Sequence, residues 1–217
     1  MHDAPPPIDR AALAGAVAER YGKLASGSDP LSCGGALELA EPRPGETLVD
    51  LGCGRGRDVR RAAEAVGPTG SAIGVDVSQE MLARARSATP AEAANARFVR
   101  SDLEALDLPD ACADVVVSNC AINHAPDKAA VYREIARVLR AGGRFVVSDV
   151  VSEGVLPEEV RTDPEAWAAC YGGAIPEADY LEAVRRAGLR EVEIVRRTQP
   201  YPRGGVLVRS LTLRGIR

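Results

Sequence analysis

The chain predicts an α/β fold: a doubly wound, seven-stranded, mostly parallel sheet that ends in an antiparallel hairpin. Three observations predict it. Short apolar, β-branched runs alternate with helical patterns from residue 47 to residue 151. A glycine-rich turn follows the first of those runs directly, and beyond residue 187 two more runs are joined by a short segment rich in proline and glycine. Strands that read as near-continuous apolar runs belong in a parallel sheet covered by helices on both faces.

In chain order, residues 8–24 carry apolar side chains at helical spacing with Asp9 in N-cap position. SGSDPLSCGG at 26–35 is loop by composition, and EPRPGE at 41–46 is a turn. Strands then read TLVDL (47–51), SAIGVD (71–76), ARFVRS (96–101), DVVVSN (114–119) and RFVVSDVV (144–151). Helices are expected at 57–66, 78–88 and 127–139, the last closed by Gly142-Gly143. A polar helical stretch near 157–171 and a helix at 176–187 ended by Gly188 lead to the strands REVEIVRR (190–197) and VLVRSLTL (206–213). Pro200, Pro202 and Gly204-Gly205 between them read as the turn of a hairpin.

At 217 residues the chain has length for one α/β domain with a substantial core, so a single domain over 1–217 is expected, with 1–44 as helix and lid and 45–217 as the sheet unit. An apolar share of 46% and a charged share of 27% are those of a globular protein. The 27 basic and 31 acidic residues are interspersed, which argues against a nucleic-acid surface. No run of about 18 apolar residues marks a membrane span. The start MHDAPPPIDR has no signal-peptide pattern, so a cytoplasmic location with reduced thiols is expected for the five cysteines.

In open α/β sheets ligands sit beyond the carboxyl ends of the strands, so the informative residues follow the strands. Asp50-Leu51-Gly52-Cys53-Gly54-Arg55-Gly56 is a glycine-rich turn into a helix, where a ligand can lie against bare backbone and the helix N-terminus favours an anion. A nicotinamide fingerprint would require glycine at position 57, where this chain has Arg57. Strand 2 ends in Asp76, a carboxylate able to accept from both hydroxyls of a ribose, and strand 3 is followed by Ser101-Asp102-Leu103, an acceptor for an adenine amino group beside an apolar wall. Strand 4 ends in Ser118-Asn119-Cys120.

This set, with the L-R-A-G-G-R turn at 139–144, resembles the class I S-adenosylmethionine-dependent methyltransferases, whose fold is Rossmann-like, over roughly residues 45–213. The resemblance implies S-adenosylmethionine as cofactor, with Asp50, Gly52, Gly54 and Gly56 under its methionine part. It places Asp76 on the ribose, Asp102 on adenine, and Val77 and Leu103 on either side of the ring. Tyr21, Met81, Ser101 and Asn119 complete the expected cofactor shell.

A narrower resemblance, to the arsenite methyltransferases, is carried by Ser118-Asn119-Cys120-Ala121-Ile122-Asn123 with Pro126-Asp127-Lys128, by Ser148-Asp149-Val150-Val151, and by Cys170 in AACYGGAIPEADYLEAVRRAGL. It implies Cys120 and Cys170 as ligands of trivalent arsenic, Cys33 as a third, and a cellular thiol as reductant. Thiolates suit a soft centre, and arsenic's lone pair can attack a sulfonium methyl without a general base. His124 stands where that family usually has another residue, and reads either as a general base for an oxygen or nitrogen acceptor or as a rim histidine. Cys53 reads as filler behind the glycine loop and Cys112 as a bystander. Two other readings compete: an O-, N- or C-methyltransferase for a small molecule, and a non-catalytic metalloid sensor using the same thiols.

Overall fold

The computed structural model describes residues 10–25 and 35–217. Strands β1 (Thr47–Leu51), β2 (Ser71–Asp76), β3 (Ala96–Arg100), β4 (Ala113–Asn119) and β5 (Leu139–Ser152) are parallel neighbours in the order β3-β2-β1-β4-β5. Strand order therefore reverses between β1 and β4, which opens a crevice at their carboxyl ends. β8 (Val206–Ile216) pairs antiparallel with β5, and β6 (Arg190–Arg197) pairs antiparallel with β8 at the outer edge. The expected C-terminal pair thus forms, with the later strand on the inside.

The sheet has eight strands rather than the seven expected, because β7 (Tyr201–Arg203) pairs with the start of β8. Gly204 and Gly205, at φ 57° and 81°, make the tight turn between β7 and β8. β5 also begins earlier than expected, since Leu139 pairs with Ala113 before the chain bends at Gly142 (φ 77°) and resumes at Arg144 opposite Val115.

Alternation along each strand divides the apolar side chains between two cores. Val49, Leu51, Ile73, Val75, Val116, Phe145 and Val147 meet helices α5 (Lys128–Val138) and α8 (Glu177–Arg186) on one face. Leu48, Ala72, Val115, Val117 and Val146 meet α2 (Ala36–Ala40), α3 (Arg57–Val66) and α4 (Gln79–Ala88) on the other. The short α2 was not expected. The expected helical stretch at 157–171 is two short helices, α6 (Glu158–Arg161) and α7 (Pro164–Ala168), because Pro164 cannot continue α6 and starts α7 under the Asp163 cap. Helix α1 (Arg10–Ala25) lies on α7, with Leu13, Val17 and Tyr21 packed against Trp167 and Ala168. Among the described residues no helix is long and apolar enough to cross a membrane.

Candidate active site

A cavity of about 840 Å³ opens at the carboxyl ends of β1, β2 and β4, where the strand order reverses. Its floor is the β1–α3 turn. Gly52 and Gly54 adopt positive φ of 73° and 51°. A β-carbon on Gly52 would lie 2.2 Å from that of Ala121, while Gly54 faces open space, so bare backbone is presented to whatever fills the cavity. Gly56 (φ 69°) lies off the cavity wall; a side chain there would strike Phe98 and Ala85, so its smallness serves helix packing and the αL turn into α3.

Five acids and four arginines line the cavity, and the most buried acids, Asp50 and Asp76, gather at the ends of β1 and β2. Asp76 ends β2, and its carboxylate accepts from the backbone N–H of Gly54 at 2.8 Å and of Ser78 at 2.9 Å, which joins the first turn to the second. Burial raises its pKa above the usual carboxylate range despite those donors. Asp50, 4% exposed, is held far higher by burial and then by its neighbours Asp58 and Asp76. Carboxylates crowded in a partly dry cavity favour a ligand bearing positive charge. Such a carboxylate set over a side-chain-free loop matches an adenosyl sulfonium with its amino-acid tail, so the residues present fit S-adenosylmethionine.

Val77, Asp102 and Leu103 line the cavity, as does Asn119, whose amide donates to Asp58 at 3.2 Å and accepts from the Ala36 N–H at 3.3 Å. Met81 and Ser101 do not line it. Met81 is fully buried on α4, and the Ser101 hydroxyl donates within its own turn to the carbonyl of Ala105 and accepts from the Asp107 N–H. Cys53 carries its sulfur against the gap left by Gly74, and burial holds its thiol well above the ordinary range. The filler reading of Cys53 matches that position.

Cys120 also lines the cavity, at the end of β4 and next to the Ala121 that Gly52 abuts, with φ 55°. Its N–H donates to the Ser148 carbonyl at 2.8 Å, which fixes the turn to β5. Cys170, with φ 70°, lies off the cavity wall behind it, and its thiol reaches the Cys120 carbonyl at 3.6 Å. Residues fifty apart in sequence therefore meet beside the cavity. Cys33 lies outside the described residues.

Sequence reasoning left His124 undecided. Its Nε2 is 3.3 Å from the Cys170 sulfur and 3.0 Å from the Tyr21 hydroxyl, which is itself 3.4 Å from that sulfur. The rings of Tyr21 and His124 meet edge to face at 5.3 Å. Burial lowers the histidine to about 4, only partly offset by the Trp167 carbonyl, so the ring is neutral near pH 7. Burial likewise raises the Tyr21 phenol, with Cys170 adding to the effect. The His124 ring lines the cavity, and its Nδ1 is sealed from solvent.

A family model described as "Methyltransferase domain" matches residues 42–191. The chain belongs to the S-adenosylmethionine-dependent methyltransferases. Among relatives of this methyltransferase, the arsenite methyltransferase of Halobacterium salinarum is 40% identical over 179 residues, which is 82% of this chain and 46% of the relative. That of Aquipseudomonas alcaligenes is 40% identical over 156 residues, 68% of this chain and 45% of the relative. The methyltransferase thus spans less than half the length of these curated relatives. A solved structure of an arsenic(III) S-adenosylmethionine methyltransferase from Chlamydomonas reinhardtii superposes with a TM-score of 0.72 and 32% identity, covering 99% of this chain and 75% of that one. The methyltransferase is therefore arsenite methyltransferase-like.

Proposed function

We propose that this methyltransferase transfers methyl groups to trivalent arsenic held by the thiolates of Cys120 and Cys170, with Cys33 as a third ligand. The observation that carries the proposal is the contact of the Cys170 thiol with the carbonyl of Cys120, a residue of the cavity wall. The proteins that this chain resembles over 82% and 99% of its length are described as arsenite and arsenic(III) methyltransferases.

S-adenosylmethionine, when bound, supplies an electrophilic sulfonium methyl. Backbone at Gly52 and Gly54 cradles its methionine part above the packing glycine Gly56, and Asp50 offers its amino group a carboxylate. Asp76 takes the ribose, and Asp102, Val77 and Leu103 enclose the adenine. Tyr21 and Asn119 close the two sides of the cavity, while Met81 and Ser101 support α4 and the 101–107 turn from behind. Each cysteine that ligates arsenic gives up its thiol proton, which leaves with displaced hydroxide as water. The arsenic lone pair would then take the methyl group as its bond to the cofactor sulfur breaks, the electron pair staying on that sulfur, and the chain's own part is mainly to position two reactants in one cavity. A cellular thiol is the reductant, and the reduced cysteines this chemistry needs place the protein in the cytoplasm. Residues 1–44 act as the lid of one methyltransferase domain whose sheet unit spans 45–217.

The test is direct. Incubation with methyl-labelled S-adenosylmethionine, arsenite and excess thiol is expected to give methylated arsenic, and Cys120→Ser and Cys170→Ser are each expected to abolish it while S-adenosylhomocysteine still binds. A folded, cofactor-binding protein that gives no methylated arsenic would return the acceptor to a small organic molecule.

A further inference from the structure

We infer that Asn123 is the positioning residue of the acceptor site, the group that holds Cys170 in the conformation from which its thiol reaches Cys120. The inference rests on the proposed two-thiol reading. Cys170 carries a β-carbon in left-handed backbone (φ 70°), which L side chains disfavour, so its surroundings must hold it there. Two hydrogen bonds do so. Its N–H donates to the Trp167 carbonyl at 2.9 Å, and its carbonyl accepts from Asn123 Nδ2 at 3.2 Å.

The same Nδ2 donates to the Val150 carbonyl at 2.6 Å, so one amide group bridges the end of β5 and the turn that carries Cys170. The Asn123 backbone is fixed as well. Its N–H donates to the Asp149 carboxylate at 3.0 Å, and that carboxylate also receives the Tyr180 hydroxyl at 3.4 Å. On the far side, a β-carbon on Gly173 would lie 1.9 Å from the Asn123 carbonyl oxygen, so the cysteine turn closes directly onto this residue.

Asn123 is fully buried, yet its Oδ1 has no hydrogen-bond partner among the described residues. A leucine of nearly the same shape would fill the space without a stranded acceptor, so what the asparagine contributes here is its donors. The following residue, His124, meets the Cys170 sulfur at 3.3 Å. The short turn Ile122–His124 therefore holds Cys170 from both ends, its carbonyl through Asn123 and its sulfur through His124.

The probe is phenylarsine oxide, a trivalent arsenical with two sites for thiols, and the readout is fluorescence of Trp167, the single tryptophan, three residues before Cys170. Asn123→Leu is expected to weaken phenylarsine oxide at least about tenfold while S-adenosylhomocysteine binds within about twofold of wild type. Asn123→Ser, which keeps one donor, is expected to fall between the two and so show partial rescue. Affinity for the arsenical within about twofold of wild type in either variant overturns the inference. If Asn123→Leu does not fold, Asn123→Ser decides by the same criterion. A further arm uses the wild-type protein: with asparagine labelled by nitrogen-15, the Asn123 side-chain amide, one of three in the chain, is expected to shift on adding the arsenical, and an unmoved signal also overturns the inference. Cys170→Ser separates the two levels. Unchanged arsenical binding in Cys170→Ser sinks the two-thiol reading itself, whereas lost binding there with full binding in both Asn123 variants sinks the role of Asn123 alone.

Discussion

The glycine turn and the two cysteine turns both use left-handed backbone, and they place opposite kinds of residue in it. In the glycine turn the positive φ angles fall on Gly52, Gly54 and Gly56, where they cost little. In the two cysteine turns they fall on Cys120 and Cys170, where each costs about 1–2 kcal/mol relative to ordinary backbone. The glycine turn leaves out side chains, whereas the cysteine turns keep them and bear the strain of doing so. Protons separate the two regions as well. Burial holds Asp50 and Asp76 above their usual range, and it holds His124 below its own. The acids therefore contribute stability that is present at low pH and is lost as pH rises through their folded values, and the histidine contributes stability that is present above about 6.5 and is lost as pH falls toward about 4.

The most damaging way to break this contrast is to place a side chain where the glycine turn has none. Gly52→Ala sets a β-carbon 2.2 Å from that of Ala121 on a residue at φ 73°. A loss of about 3 kcal/mol of stability and of measurable S-adenosylhomocysteine binding is expected by calorimetry; near-native binding would show that the loop yields.

A smaller effect sharpens the difference in protonation. His124→Leu is expected to remove about 2 kcal/mol of the stability that the wild type loses between pH 7 and pH 5, measured by urea unfolding at both pH values. Because the acids beside the glycine turn act alike in both proteins, parallel pH dependences would mean that the ring is not held neutral.

The smallest effect probes the strain itself. Cys170→Gly is expected to be more stable than Cys170→Ala by roughly 0.5–1 kcal/mol, since glycine occupies φ > 0 freely but is looser when unfolded. Equal midpoints in thermal unfolding would place the strain elsewhere.

The parallel half of the sheet was legible because its inner strands bury both faces and read as unbroken apolar runs. The glycine turn and the acids beside it were legible for a related reason, since such backbone requirements are written as glycines and strand-end acids. Three features were not. Helix α2 has five residues and no side-chain cap, so too little periodicity to notice. β7 contains Pro202, which demoted it to a turn although it pairs only at the rim of the sheet. Asp163-Pro164 did carry a signal, a cap followed by a first-turn proline, that divides 157–171 into two helices. Cys170 could be placed beside Cys120 only through resemblance, because the contact crosses fifty residues and depends on Asn123, whose donors are recognisable only once the fold brings their carbonyls together. His124 was ambiguous because its environment comes from α1 and the cysteine turn, neither adjacent to it in sequence.

The insertion of β8 between β5 and β6 sets an order of assembly. Until residues 206–216 have been synthesised and threaded into place, β5 presents an unpaired rim and β6 has nothing to dock on. A five-stranded parallel platform without β8 would carry an open margin at β5, prone to associate with its own kind, and β8 is the strand that covers it.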